Sequence, residues 1–295
     1  MAVNINSAFV NQYNKNLELL CQQMGSKLRG AVSVETVRGE TAYFDQIGAV
    51  EASKKGAKSG VGAAYHLDTP ITDTPYSRRR ADMVTFVCSE LIDNDDKVRM
   101  LIDPTSQVAR NIAAAMGRAY DVELLKAAVG TAKTGHDGST EVEFPAGMVV
   151  DTAAENVFSV DKLIEAKTLL DQKDCPEEDR YIAVQAADLK NLLKDQKATS
   201  VDYAAVKALV QGQVDSFMGF KFIRVSDKVW AAAGIANNTA IAFHREGLKL
   251  GVGQEIISHI DPRPDKCYSM QVYSESNFCT TRMDEGKLVK IVNKA

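Results

Sequence analysis

The stretch from Ala31 to Met100 constrains the chain most. Val32, Val34 and Thr36 alternate, then Thr41 and Tyr43, which predicts an outgoing strand. A glycine- and lysine-bearing tip follows: Lys54-Lys55-Gly56-Ala57-Lys58-Ser59-Gly60-Val61-Gly62. Pro70 and Pro75 stiffen the way back, and Met83 to Cys88 reads as the returning strand. Few large apolar residues lie near the tip. A two-stranded ribbon of this kind is marginal alone in water, because each strand has one neighbour and little surface to bury. Something has to cover it. The rest of the chain reads as one compact protein, so another copy of the chain is the natural cover.

The remaining residues suffice for a core. The chain has 295 residues, 45% hydrophobic and 25% charged, which is ordinary for a folded protein and argues against disorder. A formal charge of −4 disfavours a protein that lives by neutralising phosphates. No apolar run approaches the roughly 20 residues needed to span a bilayer. Met1 to Tyr13 lacks a cationic start followed by an apolar block, so the expected compartment is the cytoplasm or something assembled there. Five scattered cysteines without a Cys-x-x-Cys pair exclude a zinc ribbon and argue against a disulfide framework. Four scattered histidines suggest no metal cluster.

Elsewhere the pattern is regular. Leu17, Leu20, Cys21, Met24 and Leu28 predict a short helix over Asn14–Leu28, closed by Gly30. Asp103-Pro104-Thr105-Ser106 is a helix start, and Val108, Ile112, Ala119, Leu124, Leu125 and Ala128 carry the stripe to a stop at Gly130. That is a rod of roughly 40 Å. The middle third alternates helix and strand. Ser159 caps a helix with Leu163, Ala166 and Leu170, Tyr181–Val184 is a strand, and Ala187–Leu193 a helix. Ser200–Gly212 is another helix, and Gly219–Ser226 another strand, together an α/β lobe. Beyond Ile256 the period becomes two, Asp284-Glu285-Gly286 turns, and Lys287–Val292 completes an antiparallel β ending.

No motif carries catalysis or a cofactor. A phosphate-cradling loop is absent, and Gly60-Val61-Gly62 and Gly251-Val252-Gly253 lack the third glycine and the following helix of a dinucleotide loop. Ser159-x-x-Lys162 with Lys133-Thr134-Gly135 runs in the wrong order for penicillin-recognising hydrolases. His66 with Asp68 and His259 with Asp261 have no third ligand nearby, and the acidic runs at Asp93 and Glu177 miss calcium-loop spacing. Catalytic, cofactor-binding and metal residues are therefore expected to be none. Arg78, Arg79 and Arg80 stand out on the return limb. They read equally as a solvated surface or as guanidinium groups bonding carboxylates of a neighbouring subunit, with nucleic-acid contact a weaker third reading.

The order of elements resembles the major capsid proteins of tailed bacteriophages, the Hong Kong 97-type fold. The phrases Arg38-Gly39-Glu40-Thr41, Asp73-Thr74-Pro75-Tyr76-Ser77-Arg78-Arg79-Arg80 and Ile92-Asp93-Asn94-Asp95-Asp96-Lys97-Val98-Arg99 are similar to that family. So are Asp103-Pro104-Thr105-Ser106, Gly219-Phe220 and Asp284-Glu285-Gly286-Lys287-Leu288-Val289-Lys290-Ile291. The resemblance implies an α+β fold divided into an N-terminal arm (1–33), an extended loop (34–87), a peripheral domain with the spine helix (88–149), an axial domain (150–240) and returning peripheral strands (241–295). It implies no enzyme and no cofactor. It further implies self-assembly as pentamers and hexamers into an icosahedral shell around double-stranded DNA, held non-specifically, with Arg78, Arg79 and Arg80 the candidate inter-subunit contacts. Portal, scaffolding and decoration proteins are the expected partners, with no membrane; the virion, and host cytoplasm during assembly, the expected location. Some members join subunits through a lysine–asparagine bond; Lys54, Lys55 and Lys58 sit near the tip, but no acceptor asparagine or activating carboxylate is identifiable for them. The alternatives are an encapsulin-type compartment shell, told apart by its protein cargo, and a cytoplasmic α/β enzyme, told apart by a small-molecule pocket.

Overall fold

The computed structural model describes residues 22–52, 71–93, 105–151, 157–194, 216–235 and 239–293. The lysine-bearing tip, the cap at Asp103-Pro104, the helix expected at Ser200–Gly212 and most of the helix expected from Asn14 lie outside the described residues.

In chain order the elements are β1 (Ser33–Thr36), β2 (Thr41–Ile47), β3 (Tyr76–Asp82), β4 (Val84–Ile92) and the long helix α1 (Thr105–Val129). Then come β5 (Ala132–Thr134), β6 (Thr140–Val142), β7 (Val149–Val150), α2 (Val160–Gln172), β8 (Arg180–Val184) and α3 (Ala186–Lys194). The chain continues through β9 (Ser216–Phe217), β10 (Phe220–Arg224), α4 (Asp227–Ala232) and β11 (Thr239–His244). It closes with β12 (Leu248–Arg263), β13 (Ser269–Arg282) and β14 (Leu288–Val292). Three sheets result, with strand orders β1-β12-β13-β4, β7-β14-β11-β8-β10-β9 and β2-β3-β5-β6.

The six-stranded sheet is mixed: β8 runs parallel to β10 and antiparallel to β11. Its strands are apolar on both faces because both faces are covered. Ile182, Val184, Ala240, Ala242, Val289 and Ile291 face a core that includes Leu163, Ala166 and Leu170 of α2. The alternate residues Ala183, Ile241, Phe243 and Leu288 face a second core with Leu124, Leu125 and Trp230. The period-two alternation of a strand thus lets one sheet wall two cores. Ser159 caps α2 as expected, its side chain accepting from the Lys162 amide.

Helix α1 is the spine. Its stripe of Ile112, Met116, Tyr120, Leu124, Leu125 and Ala128 is buried. Tyr120 stacks on Phe278 of β13 at 4.1 Å between ring centroids, and Phe278 stacks on Phe86 of β4 at 4.7 Å.

Four expectations need correction. The described part of the N-terminal segment, Gln22–Leu28, is not helical. Gly25 sits at φ +74°, and the amides of Lys27 and Leu28 donate to the buried carboxylate of Asp121 on α1 instead of to carbonyls four residues back. Gln23 and Ser26 donate to the same carboxylate. The segment crosses α1 so closely that a Cβ at Gly117 would lie 2.5 Å from the Gly25 Cα.

The returning limb is β3 rather than Met83–Cys88. β2 and β3 pair from Thr41↔Asp82 to Ile47↔Tyr76. The chain changes sheet at Met83, and β4 pairs with β13 because Phe86 and Ile92 bury against α1 and its sheet. Nor is the ribbon bare throughout, since β5 pairs with β3 at its root. Finally, the ending is not wholly antiparallel. β14 leaves the β12–β13 hairpin, pairing antiparallel with β11 and parallel with β7 inside the six-stranded sheet.

Candidate subunit-contact site

The arginine triplet lies on β3, and strand geometry divides it. Cross-strand partners share a face, and successive residues alternate. Arg78 stands opposite Asp45, Arg79 opposite Phe44, and Arg80 opposite Tyr43. Arg78 and Arg80 therefore share one face, and Arg79 takes the other.

Arg79 is turned inward and is 7% exposed. Its Nε donates to the Met283 carbonyl at 3.0 Å, and its Nη2 donates to Glu285 Oε2 at 2.7 Å. Among the described residues its buried Nη1 has no hydrogen-bond partner. Glu285 also faces Arg282, whose Nε lies 3.5 Å from Oε1. Arg282 is fully buried. Its Nη1 donates to the carbonyls of Gly130 at 2.6 Å and Ala128 at 3.4 Å, and its Nη2 to Val142 at 2.9 Å. A cation at the C-terminal end of α1 is favoured by the helix dipole. Burial lowers the Arg282 pKa, and the neighbouring Glu285 opposes that shift. Glu285 thus ties the ribbon root to the end of the spine helix.

The outward pair differs. Arg78 Nε donates to Asp45 Oδ1 at 2.6 Å, and its guanidinium lies 5.4 Å from the Tyr43 ring centre. The hydrogen bond from Arg78 holds the Asp45 carboxyl below the usual carboxylate range. Arg80 Nε donates to Asp82 Oδ1 at 2.9 Å, and Lys133 Nζ donates to the other Asp82 oxygen at 2.6 Å. Arg80 Nη1 also reaches the Asp137 carbonyl at 3.3 Å. Gly138 is required there, because it holds φ +67° and a Cβ would lie 2.3 Å from Arg80 Cδ. Exposed pairs of this kind contribute little to stability. They fix the direction of two positive groups that remain partly open to solvent.

Beside the root lies an open groove of about 560 Å³, lined on the ribbon side by Gln46, Ile47 and Arg79 and on the body side by Glu246, Lys249 and Lys287. Mixed charges and an open mouth do not make a substrate pocket of the mostly apolar, enclosed kind. Around and past Gly48, whose amide donates to the Pro75 carbonyl at 2.8 Å, the ribbon's apolar side chains stand in water: Tyr76 is 75% exposed and Ile71 92%.

Sequence reasoning found the triplet and missed Glu285, Arg282 and Asp121. Glu285 sat in a segment that reads as a turn, and its partner Arg79 lies 206 residues away. No local pattern signals such a pair. Among the described residues no group of His, Cys, Asp and Glu is arranged to hold a metal ion, and no helix is long and apolar enough to cross a membrane.

Comparison with known proteins bears on this arrangement. A family model described as "Phage capsid protein" matches residues 5–295. No curated protein matches by sequence. Among solved structures, the capsid of Ralstonia phage GP4 superposes with a TM-score of 0.71 at 8% identity, covering 100% of this chain and 98% of that one. The acidic stable capsid of Helicobacter pylori bacteriophage KHP30 gives 0.71 at 9% identity over 100% and 99%. The capsid of the cyanophage P-SCSP1u gives 0.70 at 12% identity over 99% and 95%.

Proposed function

The chain belongs to the phage capsid protein family, and on that premise we propose that its copies form pentamers and hexamers that close an icosahedral shell around double-stranded DNA. It is a structural, non-enzymatic major capsid protein with the Hong Kong 97-type fold, its copies assemble into capsid shells, and its place is the virion capsid.

The observation that carries the finer reading is the contrast at the ribbon. Its root is locked to the body through Arg79 and Glu285, while Ile71 and Tyr76 further out are uncovered. A rigidly aimed ribbon with bare apolar side chains suits a second copy of the chain as its cover. In this reading Arg78 and Arg80 meet carboxylates of the neighbour, and Arg79 serves indirectly by holding the ribbon's direction. The α/β lobe is the axial domain at capsomer centres, and α1 with the β12–β13 hairpin is the peripheral domain. Scaffolding and portal proteins act during assembly in the host cytoplasm, decoration proteins join the finished shell on its outside, and the DNA is enclosed without base-specific contacts.

Negative-stain electron microscopy of the protein, expressed alone and with a scaffolding partner, tests this. Closed particles or hexameric sheets are expected. Small discrete oligomers under every condition would overturn it, and closed particles filled with enzyme would mark a protein compartment instead.

A further inference from the structure

The loop between β5 and β6 holds the chain's single Asp-Gly sequence, Asp137-Gly138. The Asp137 side chain is 82% exposed, and its Oδ1 lies 2.7 Å from His136 Nδ1. An ionised carboxylate only accepts hydrogen bonds, so Nδ1 is the donor. Gly138 sits at φ +67° and has no side chain to keep its amide nitrogen away from the Asp137 carboxyl. Its amide donates to the Gly135 carbonyl at 3.2 Å, a bond inside the same turn. From the other side, Arg80 Nη1 donates to the Asp137 main-chain carbonyl at 3.3 Å.

One peptide unit thus has a carboxyl group, an imidazole and a guanidinium around it. The Gly138 nitrogen and the Asp137 Cγ are joined by the chain itself, so closing them into a five-membered ring needs no encounter. A cation on the carbonyl of the attacking peptide favours the form that has lost its N–H proton, which is the nucleophile. The imidazole can give a proton to the carboxyl oxygen that leaves.

We propose that Asp137-Gly138 is a self-modification site, at which His136 and Arg80 assist conversion of Asp137 to isoaspartate. The Gly138 nitrogen adds to Asp137 Cγ. One carboxyl oxygen leaves as water, taking the amide proton and a second proton from the charged form of His136, and a cyclic imide remains. Solvent water then adds to the imide carbonyl that Arg80 holds, where a fixed donor meets the developing oxyanion. The bond from that carbon to nitrogen breaks, and the proton released returns to His136. Mass and net charge end unchanged. The main chain now runs through Cγ, and the carboxylate stands on the carbon whose oxygen Arg80 bonds. A neutral acceptor of Arg80 becomes an anionic, stronger one. Arg80 is thereby drawn to its own loop and away from a neighbour's carboxylate. This last effect rests on the function proposed above, whereas the isomerisation does not.

Ageing the unassembled full-length protein for several weeks in neutral buffer at body temperature tests the proposal. Labelling by an isoaspartyl methyltransferase, with electron-transfer fragmentation of the tryptic peptide 134–162, reads the isomer at position 137. Isoaspartate should accumulate there at unchanged intact mass, and several-fold more slowly in His136→Gln. In Arg80→Gln the imide should open more often to ordinary aspartate, which lowers the ratio of isomer to normal residue. If the folded protein keeps ordinary aspartate at 137 while the guanidinium-unfolded chain isomerises, the proposal is overturned, because the fold then holds the amide out of reach. An unchanged rate in His136→Gln together with an unchanged ratio in Arg80→Gln would overturn the part given to these two groups. Failure of the protein to form shells would leave all of these readings as they stand.

Discussion

The six-stranded sheet and the β2–β3 ribbon are built of the same backbone ladders, yet they are stabilised from different sources. Strands β8, β11 and β14 bury both faces, and the residues Ile182 to Val184 and Ala240 to Phe243 are at most 1% exposed. The ribbon buries one face at its root, through Ala42, Phe44 and Ala81, and almost nothing beyond Ile47. The lobe therefore carries its stability within the chain, whereas the ribbon's outer part finds little to bury against within it. The assembly proposed above would give that part its cover.

Substitutions can break this contrast. Phe243→Ala in the lobe should cost about 3–5 kcal/mol, the range for emptying a buried aromatic site. Urea unfolding of the unassembled subunit reads it, and a loss under 1 kcal/mol would mean the sheet is not the chain's stable body. At the ribbon root, Arg79→Ala strips Glu285 and the Met283 carbonyl of a buried donor, and should cost about 1–3 kcal/mol. Arg78→Ala one residue earlier should stay within about 0.5 kcal/mol. Equal losses in thermal melts of the two variants would contradict the inward and outward division of the triplet.

The lobe should also respond to acid. His244 is buried, and its Nδ1 accepts from the Glu246 amide, which requires an unprotonated Nδ1. Burial lowers its pKa below the ordinary value of 6.5. The folded state therefore binds this proton less readily than the unfolded chain. The stability His244 contributes is full above the unfolded pKa and is lost as pH falls through the lower folded value. His244→Asn should flatten the slope of stability against pH below about 6.5; an unchanged slope would assign it to other groups. The smallest effect on the isolated subunit belongs to the ribbon's outer part. Ile71→Ser should change subunit stability by less than about 0.5 kcal/mol and still reduce the yield of closed shells, scored by sedimentation. Unimpaired assembly would remove Ile71 from the contact.

The sequence made short-range order readable and left long-range order hidden. The spine helix, the Ser159 cap and strands β8 and β10 follow from period and capping within a dozen residues of themselves. The change of sheet at Met83 does not, because β3 and β4 read as one extended run and are separated only by which partner each finds. Strand β11 is an uninterrupted apolar run, Ala240 to Phe243, with no alternation to mark it. Asp121 looks like any polar residue on a helix until the amides of Lys27 and Leu28 are seen to end on it. The arginine triplet was visible as composition, but its division needed the register with β2. Glu285 and Arg282 needed contacts across more than a hundred residues.

The place of β14 bears on when the subunit becomes complete. It lies between β7 and β11, so β7 has no strand to join until Leu288–Val292 exists. During synthesis the N-terminal parts of a chain generally have the first chance to fold. Here the ribbon and spine leave the ribosome well before the sheet that walls both cores can close. A chain made only as far as β13 thus leaves the β11 edge of this sheet open, and the wall between the two cores closes only once Leu288–Val292 has been made.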